Sequence, residues 1–267
     1  MWNIYYSKTF CLGINISVAK ISAGSSSNSI GTEDGYVLEP QGEHRVTIVW
    51  LHDVHENSYK SLQIVRSLNL RNIKWICLDS GTRVDVFSPG GGVPTNSWCN
   101  MGMITDTTQD CRDELDSAAV RVANILSTEP ENVIKGVGGV GQGAQVALNF
   151  AKWNAVGDHT MNMRLVIGIN SWCVYTLLVL MRIPTNRIDY DFGAAIRSSW
   201  QSILLIRGNL EPSIPLYFAK ETAVSLIDDG FGEVSFVQFR MLGREITVNV
   251  LKKVEVWLNG KLPLDPN

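Results

Sequence analysis

The stretch that most constrains this chain is the glycine-rich junction at 133–153. Residues 133–137 read as a strand. Gly138-Gly139-Val140-Gly141-Gln142-Gly143 follows as a tight turn, and residues 144–153 read as a helix, with Gly157 as a stop signal just beyond. A strand that passes through a glycine turn straight into a helix is the core of a βαβ unit. The chain is therefore committed to a layered α/β architecture.

The rest of the sequence repeats that alternation. Val46-Thr47-Ile48-Val49-Trp50-Leu51 is a nearly unbroken run of β-formers, as a strand buried on both faces requires. Further strands are predicted at 73–77, 165–169, 202–206 and 234–239, and helices at 58–68, 113–126, 215–227 and 248–258. In the helix at 113–126, Leu115, Ala118, Ala119, Val122 and Leu126 share one face. This pattern predicts a mostly parallel central sheet with helices on both faces. Ser88-Pro89-Gly90-Gly91-Gly92-Val93-Pro94 is too rich in Gly and Pro for regular structure.

Composition limits what such a sheet could serve. The chain has 267 residues, enough for one α/β domain, and its 45% hydrophobic content can fill a core. A net charge of −3 gives no footprint for nucleic acid or an anionic membrane, which leaves a small molecule or a protein as partner. No apolar stretch is long enough to span a bilayer. Residues 1–32 are expected to be a disordered or atypical leader. Its apolar run at 10–19 is broken as a signal peptide by Asn15, and a Ser- and Asn-rich linker follows at 22–29. A single domain is expected at 33–262, with a tail at 263–267. The odd set Cys11, Cys77, Cys99, Cys111 and Cys173 lacks any CxxC pairing and reads as reduced thiols in a cytoplasmic protein.

The turn also carries a chemical signature. Gly139-Val140-Gly141-Gln142-Gly143 has the frame of G-x-S-x-G, in which small flanking residues permit a strained turn and the central serine projects into a site. Here the centre is Gly141, which has no side chain with which to attack a carbonyl. The other reading of Gly136 to Gly141 is a turn that cradles an anion. That signal is weak alone, and no Walker lysine follows.

Three longer runs narrow the choice. Asn72-Ile73-Lys74-Trp75-Ile76-Cys77, Val122-Ala123-Asn124-Ile125-Leu126-Ser127-Thr128-Glu129-Pro130 and Gly136-Val137-Gly138-Gly139 resemble the acyl-protein thioesterase/carboxylesterase family of α/β hydrolases, its plant branch in particular. The resemblance runs over residues 36–262 and is densest at 72–151. It implies an α/β-hydrolase fold and an ancestral hydrolysis of carboxylic esters, or of fatty-acyl thioesters on proteins, by Ser, Asp and His. It also implies where those roles fall. The serine falls on Gly141, the aspartate of the H-G-x-x-D-x-x-V-P stretch on Glu211, and the histidine on Arg244. The oxyanion stretch H-G-x-G-D falls on His52-Asp53-Val54-His55-Glu56, so both of its glycines are replaced.

The loss of the base is also readable directly. In this fold the triad runs nucleophile, acid, base, and the chain's histidines are His44, His52, His55 and His159, none of them after Glu211. Arg244 stays protonated and has no acceptor lone pair. Glu211 has no imidazole to orient, so a surface or ion-pair role is expected for it. Asp53 adds negative charge where an oxyanion would form. His52 is expected to be structural. Ser171, Cys99 and Cys173 are candidate substitute nucleophiles, but no histidine is placed to activate them.

The expectation is an inactive carboxylesterase, an acyl-protein-thioesterase-like pseudoenzyme that uses no cofactor or metal. Two alternatives stand beside it. One is a non-catalytic module that binds an acyl chain or a lipidated protein in the remnant cleft, favoured by the loop Gly90-Gly91-Gly92-Val93-Pro94 with Trp98. The other is a weak residual esterase.

Overall fold

Each β-former run becomes a strand, and each periodic run becomes a helix. The computed structural model describes residues 29–85, 92–100, 108–157, 161–171, 192–211 and 215–262. Along the chain it contains β1 (Ser29–Thr32), β2 (Gly35–Leu38), β3 (Val46–Leu51), α1 (Ser58–Arg66), β4 (Ile73–Leu78), β5 (Thr82–Asp85), β6 (Val93–Asn96) and α2 (Thr108–Ser127). After these come β7 (Ile134–Val140), α3 (Gln142–Val156), β8 (Met163–Ile169), α4 (Phe192–Ser199), β9 (Ser202–Gly208), α5 (Leu216–Asp228), β10 (Glu233–Phe239) and α6 (Val248–Lys261).

Eight strands form one sheet in the order β1-β2-β4-β3-β7-β8-β9-β10. The pairs from β4 to β10 are parallel, and β1 and β2 add an antiparallel edge. The strand order reverses between β3 and β7. In an open α/β sheet, the crevice at the carboxyl ends of such a switch point is where ligands bind.

The two-residue period of a strand sends alternate side chains to opposite faces. In β3, Val49 and Leu51 join a core with α2, α3 and α5, while Ile48 and Trp50 join a second core with α1 and α6. Trp50 meets Trp75 of β4 edge to face at 5.8 Å, and both rings are buried. Gly138 in β7 makes room for them, since a Cβ there would press on the Trp50 ring at 2.9 Å.

Three expectations are corrected. Residues 29–32, which the expected leader had absorbed, form β1 by pairing with β2. The remainder of that leader, and the tail at 263–267, lie outside the described residues. Val93 and Pro94 of the expected irregular loop belong to β6. Its ribbon with β5 has only two strands, so proline's missing N–H costs no interior ladder bond. Finally, Cys99 and Cys111 form a disulfide across a Cα–Cα distance of 5.0 Å. Packing of the segment after β6 against the start of α2 brings the two together, and the parity of the cysteine count could not show it. These two residues therefore give no support to a reducing compartment. Cys77 is a free, buried thiol that burial pushes far up from its ordinary pKa, as expected of a small hydrophobe. Cys11 and Cys173 lie outside the described residues. Among the described residues no helix is long and apolar enough to cross a membrane.

The fold makes Trp75 a keystone of the second core. Trp75→Ala should cost about 3–5 kcal/mol of stability, read as a lowered denaturation midpoint in urea.

Candidate functional site

The switch point brings together the ends of two strands. β3 stops at Leu51 and delivers His52-Asp53-Val54-His55. β7 stops at Val140 and delivers Gly141 and the first turn of α3. Gly141 has φ 52° and ψ −115°, a backbone conformation that L side chains rarely adopt. Its N–H donates to the Ile169 carbonyl at 2.9 Å. Gly139 and Gly143 flank it, and a Cβ on either would collide with the Leu51 carbonyl. The G-x-x-x-G frame is thus required by the close approach of β3 to the turn, whatever stands at its centre.

The space in front of Gly141 is filled. A Cβ on Gly141 would overlap the carboxylate of Asp53, which is itself buried. Asp53 Oδ1 accepts the Val54 N–H at 2.8 Å and the Gln142 N–H at 3.0 Å. Asp53 Oδ2 accepts Arg244 Nε at 2.8 Å and lies 2.7 Å from Arg244 Nη2. The N-terminus of the 15-residue α3 adds its positive end to this arrangement. The charge at this helix end is met by the chain's own side chain.

Arg244 lies on the loop after β10, and Asn170 holds that loop in place. Asn170, at φ 51°, accepts the Gly208 N–H at 3.0 Å and donates to the carbonyls of Gly243 and Arg244, both at 3.3 Å. Burial pushes the Arg244 guanidinium down, but the Asp53 charge and its hydrogen bond outweigh this, with help from Glu211 and Glu56, so the net shift is upward. Arg244 is a locked cation with no capacity to accept a proton.

The remaining candidates take structural places. The His52 ring is buried; its Nδ1 lies 2.6 Å from the Asp53 carbonyl, and its Nε2 accepts the Ser80 N–H at 3.0 Å. That pattern fixes a neutral ring with the proton on Nδ1. Burial holds its pKa below the usual value, helped by the Arg121 charge and opposed by the Asp53 backbone bond and the Asp79 and Asp53 carboxylates. His55 sits at φ 65°, as suits a position where the resembled family has glycine, and its N–H donates to the Asn96 carbonyl at 2.9 Å. Its side chain is exposed.

Glu211 is buried, which corrects the surface half of its expected role. Its carboxylate attracts both Arg207 and Arg244, and Arg207 Nη2 donates to its carbonyl at 3.2 Å. Ser171 is buried at the end of β8, and Cys99 is consumed by its disulfide. Trp98 is buried as well. Its indole N–H donates to the His52 carbonyl at 2.8 Å, and its backbone N–H donates to the Gln142 side chain at 2.9 Å. Gln142 Nε2 in turn donates to the Cys99 carbonyl at 2.9 Å. This ring is therefore committed to structure and is not available to line a cleft.

A cavity of about 520 Å³ opens beside the carboxylate, bordered by Asp53, Val54, Glu56, Lys60, Val140 and Arg244. Burial, followed by the Asp53 charge, raises the pKa of Glu56. Among the described residues no group of three or more His, Cys, Asp or Glu could hold a metal ion.

A family model for phospholipase/carboxylesterase matches residues 32–261. The chain belongs to that family. Among solved structures it is similar to Zea mays acyl-protein thioesterase 2, at 30% identity and a TM-score of 0.73, over 84% of this chain and 96% of that one. It shares its fold with Arabidopsis thaliana SOBER1, at 16% identity and a TM-score of 0.62, over 82% of this chain and all of that one. It also shares its fold with a Bacillus cereus carboxylesterase, at 11% identity and a TM-score of 0.57, over 85% and 93% of the two chains. No curated protein matches it.

Sequence reasoning named Asp53 and Arg244 separately but missed their contact. The available signal was the paired appearance of opposite charges, a carboxylate at position 53 and a cation at position 244. Arg207 and Asn170 were missed altogether.

Two predictions follow from this geometry. In this phospholipase/carboxylesterase relative, Gly141→Ala adds both backbone strain and an overlap with Asp53, at a cost of about 1–3 kcal/mol. In an Asp53→Gly background the same change should cost less, a non-additivity that urea denaturation measures. The second concerns pH. The folded His52 pKa lies below the unfolded value near 6.5, so the unfolded chain binds the extra proton in that window. Stability should fall as pH drops below about 6.5. Glu56, raised from 4.5, acts in the opposite sense, with stability falling as pH rises through its window. Comparison with His52→Gln isolates the His52 contribution: the urea midpoint of that variant should depend less on pH between 5.5 and 7.5.

Proposed function

We propose that this chain is a non-hydrolysing member of its family, an inactive carboxylesterase of acyl-protein-thioesterase type. One observation carries the reading: the Asp53 carboxylate takes the volume a nucleophilic side chain would need at position 141. The same carboxylate accepts the two N–H groups that would otherwise face an oxyanion. Arg244, at the position of the base, can take no proton and instead anchors this carboxylate. Nucleophile, base and oxyanion donors are lost through one connected arrangement. In serine proteases stripped of their triad, oxyanion donors and binding still give on the order of 10³–10⁴ over water. Here those donors already hold a charge, so even that residue of catalysis is withdrawn. Trp98, one of the features that favour an acyl chain or lipidated protein as ligand, is buried in the body of the molecule.

The test is an assay of the purified protein with p-nitrophenyl acetate and with a palmitoyl thioester. Wild type, Gly141→Ser and Gly141→Ser/Arg244→His should all match the buffer rate. The double variant stays silent because Asp53 still occupies the centre. Covalent labelling by a fluorophosphonate is expected only once Asp53→Gly is added to the pair. Saturable turnover by wild type would refute the proposal.

A further inference from the structure

We infer that the centre of this chain is a carboxylate receptor whose resident ligand is its own Asp53. The inference deepens the reading above but stands on geometry, and it would survive the discovery of residual turnover. Four contacts from three separate segments converge on one carboxylate. The N–H groups of Val54 and Gln142 hold Oδ1, and Arg244 Nε and Nη2 hold Oδ2. Both oxygens are thus bound by donors of their own, which is how a planar carboxylate is distinguished from a halide or a neutral carbonyl.

The receptor is held in place by groups other than its ligand. Asn170 ties the Arg244 loop to the ends of β8 and β9. Gly139 and Gly143 seat the start of α3 against β3. The side chain of Gln142 bonds to Trp98 and Cys99. Removing the Asp53 side chain therefore leaves these donors in position around a space the size of its carboxymethyl group. Gly141 puts nothing in that space. Access exists as well, because the adjoining cavity of about 520 Å³ borders Asp53, Val54 and Arg244, and the Arg244 side chain is 49% exposed. The ligand class is a carboxylate, free or as the head of a longer acid. In wild type such a ligand has to displace a tethered, prepositioned one, which keeps the site closed to it.

The test uses Asp53→Gly and acetate. The variant should melt below wild type, and sodium acetate should raise its Tm saturably, by roughly 3–6 °C at ten times the half-saturating concentration. Sodium chloride at equal ionic strength should not do so. Wild type and Asp53→Gly/Arg244→Gln should show no acetate-specific rise. A rise in Asp53→Gly no larger with acetate than with chloride overturns the inference, as does an equal acetate response from the double variant. Should Asp53→Gly fail to fold in chloride, its yield on refolding from urea is the reading. Greater recovery in acetate supports the receptor, and equal recovery in the two salts overturns it.

Discussion

The arrangement at the carboxyl edge of the sheet depends on one buried anion. A carboxylate inside a protein is tolerated only when its oxygens are hydrogen-bonded and its charge is balanced. Asp53 meets both conditions by drawing donors from its own loop, from the start of α3 and from the loop after β10. The segments are seated by Asn170, by the elbow glycines and by the Gln142 side chain, and the single charge is what their donors share. Without Arg244 the two N–H groups would face an uncompensated charge. Without Asp53, Arg244 would lose its hydrogen-bonded carboxylate and keep the attraction of Glu211 and Glu56.

This interdependence ties positions 53, 141 and 244 together. A side chain at 141 and a carboxylate at 53 compete for the same volume. A carboxylate at 53 needs a cation, and position 244 is where the loop, fixed by Asn170, can bring one. The three residues therefore form a compatible set, and a change at one position alone creates an overlap or weakens the balance of charge. Esterase ancestry remains visible in the sheet, the elbow and the order of the loops, which match the phospholipase/carboxylesterase family over residues 32–261.

Much of this was legible in the sequence, for identifiable reasons. β3, β7, β8 and β9 are buried on both faces, so their sequences are apolar almost throughout and report themselves. β1, β2, β5 and β6 have four residues each and exist through their partners, so no local pattern announces them. The eight-residue α4 was also missed. At the site, Gly141, Asp53, Val54, His55, Glu211 and Arg244 could each be picked out by residue type. Their contacts could not be, since Asp53 meets Gln142 across 89 residues and Arg244 across 191. Burial was misjudged at Glu211 because the cation that balances it, Arg207, lies in the preceding strand and looks unremarkable there. The disulfide escaped for the same reason, being a matter of where a loop meets a helix.

The contact across 191 residues also bears on how the molecule assembles. A contact of such long range gains nothing until the chain between its ends is in place. The parallel pairs β7–β8, β8–β9 and β9–β10 must register before the loop after β10 can approach β3. Of the bonds to Asp53, the one from Arg244 is thus the last to close, since those from Val54 and Gln142 need only the ends of β3 and β7 side by side. An interaction formed after the rate-limiting step leaves the folding rate alone and slows unfolding. The Asp53–Arg244 bond then acts chiefly on the lifetime of the native state.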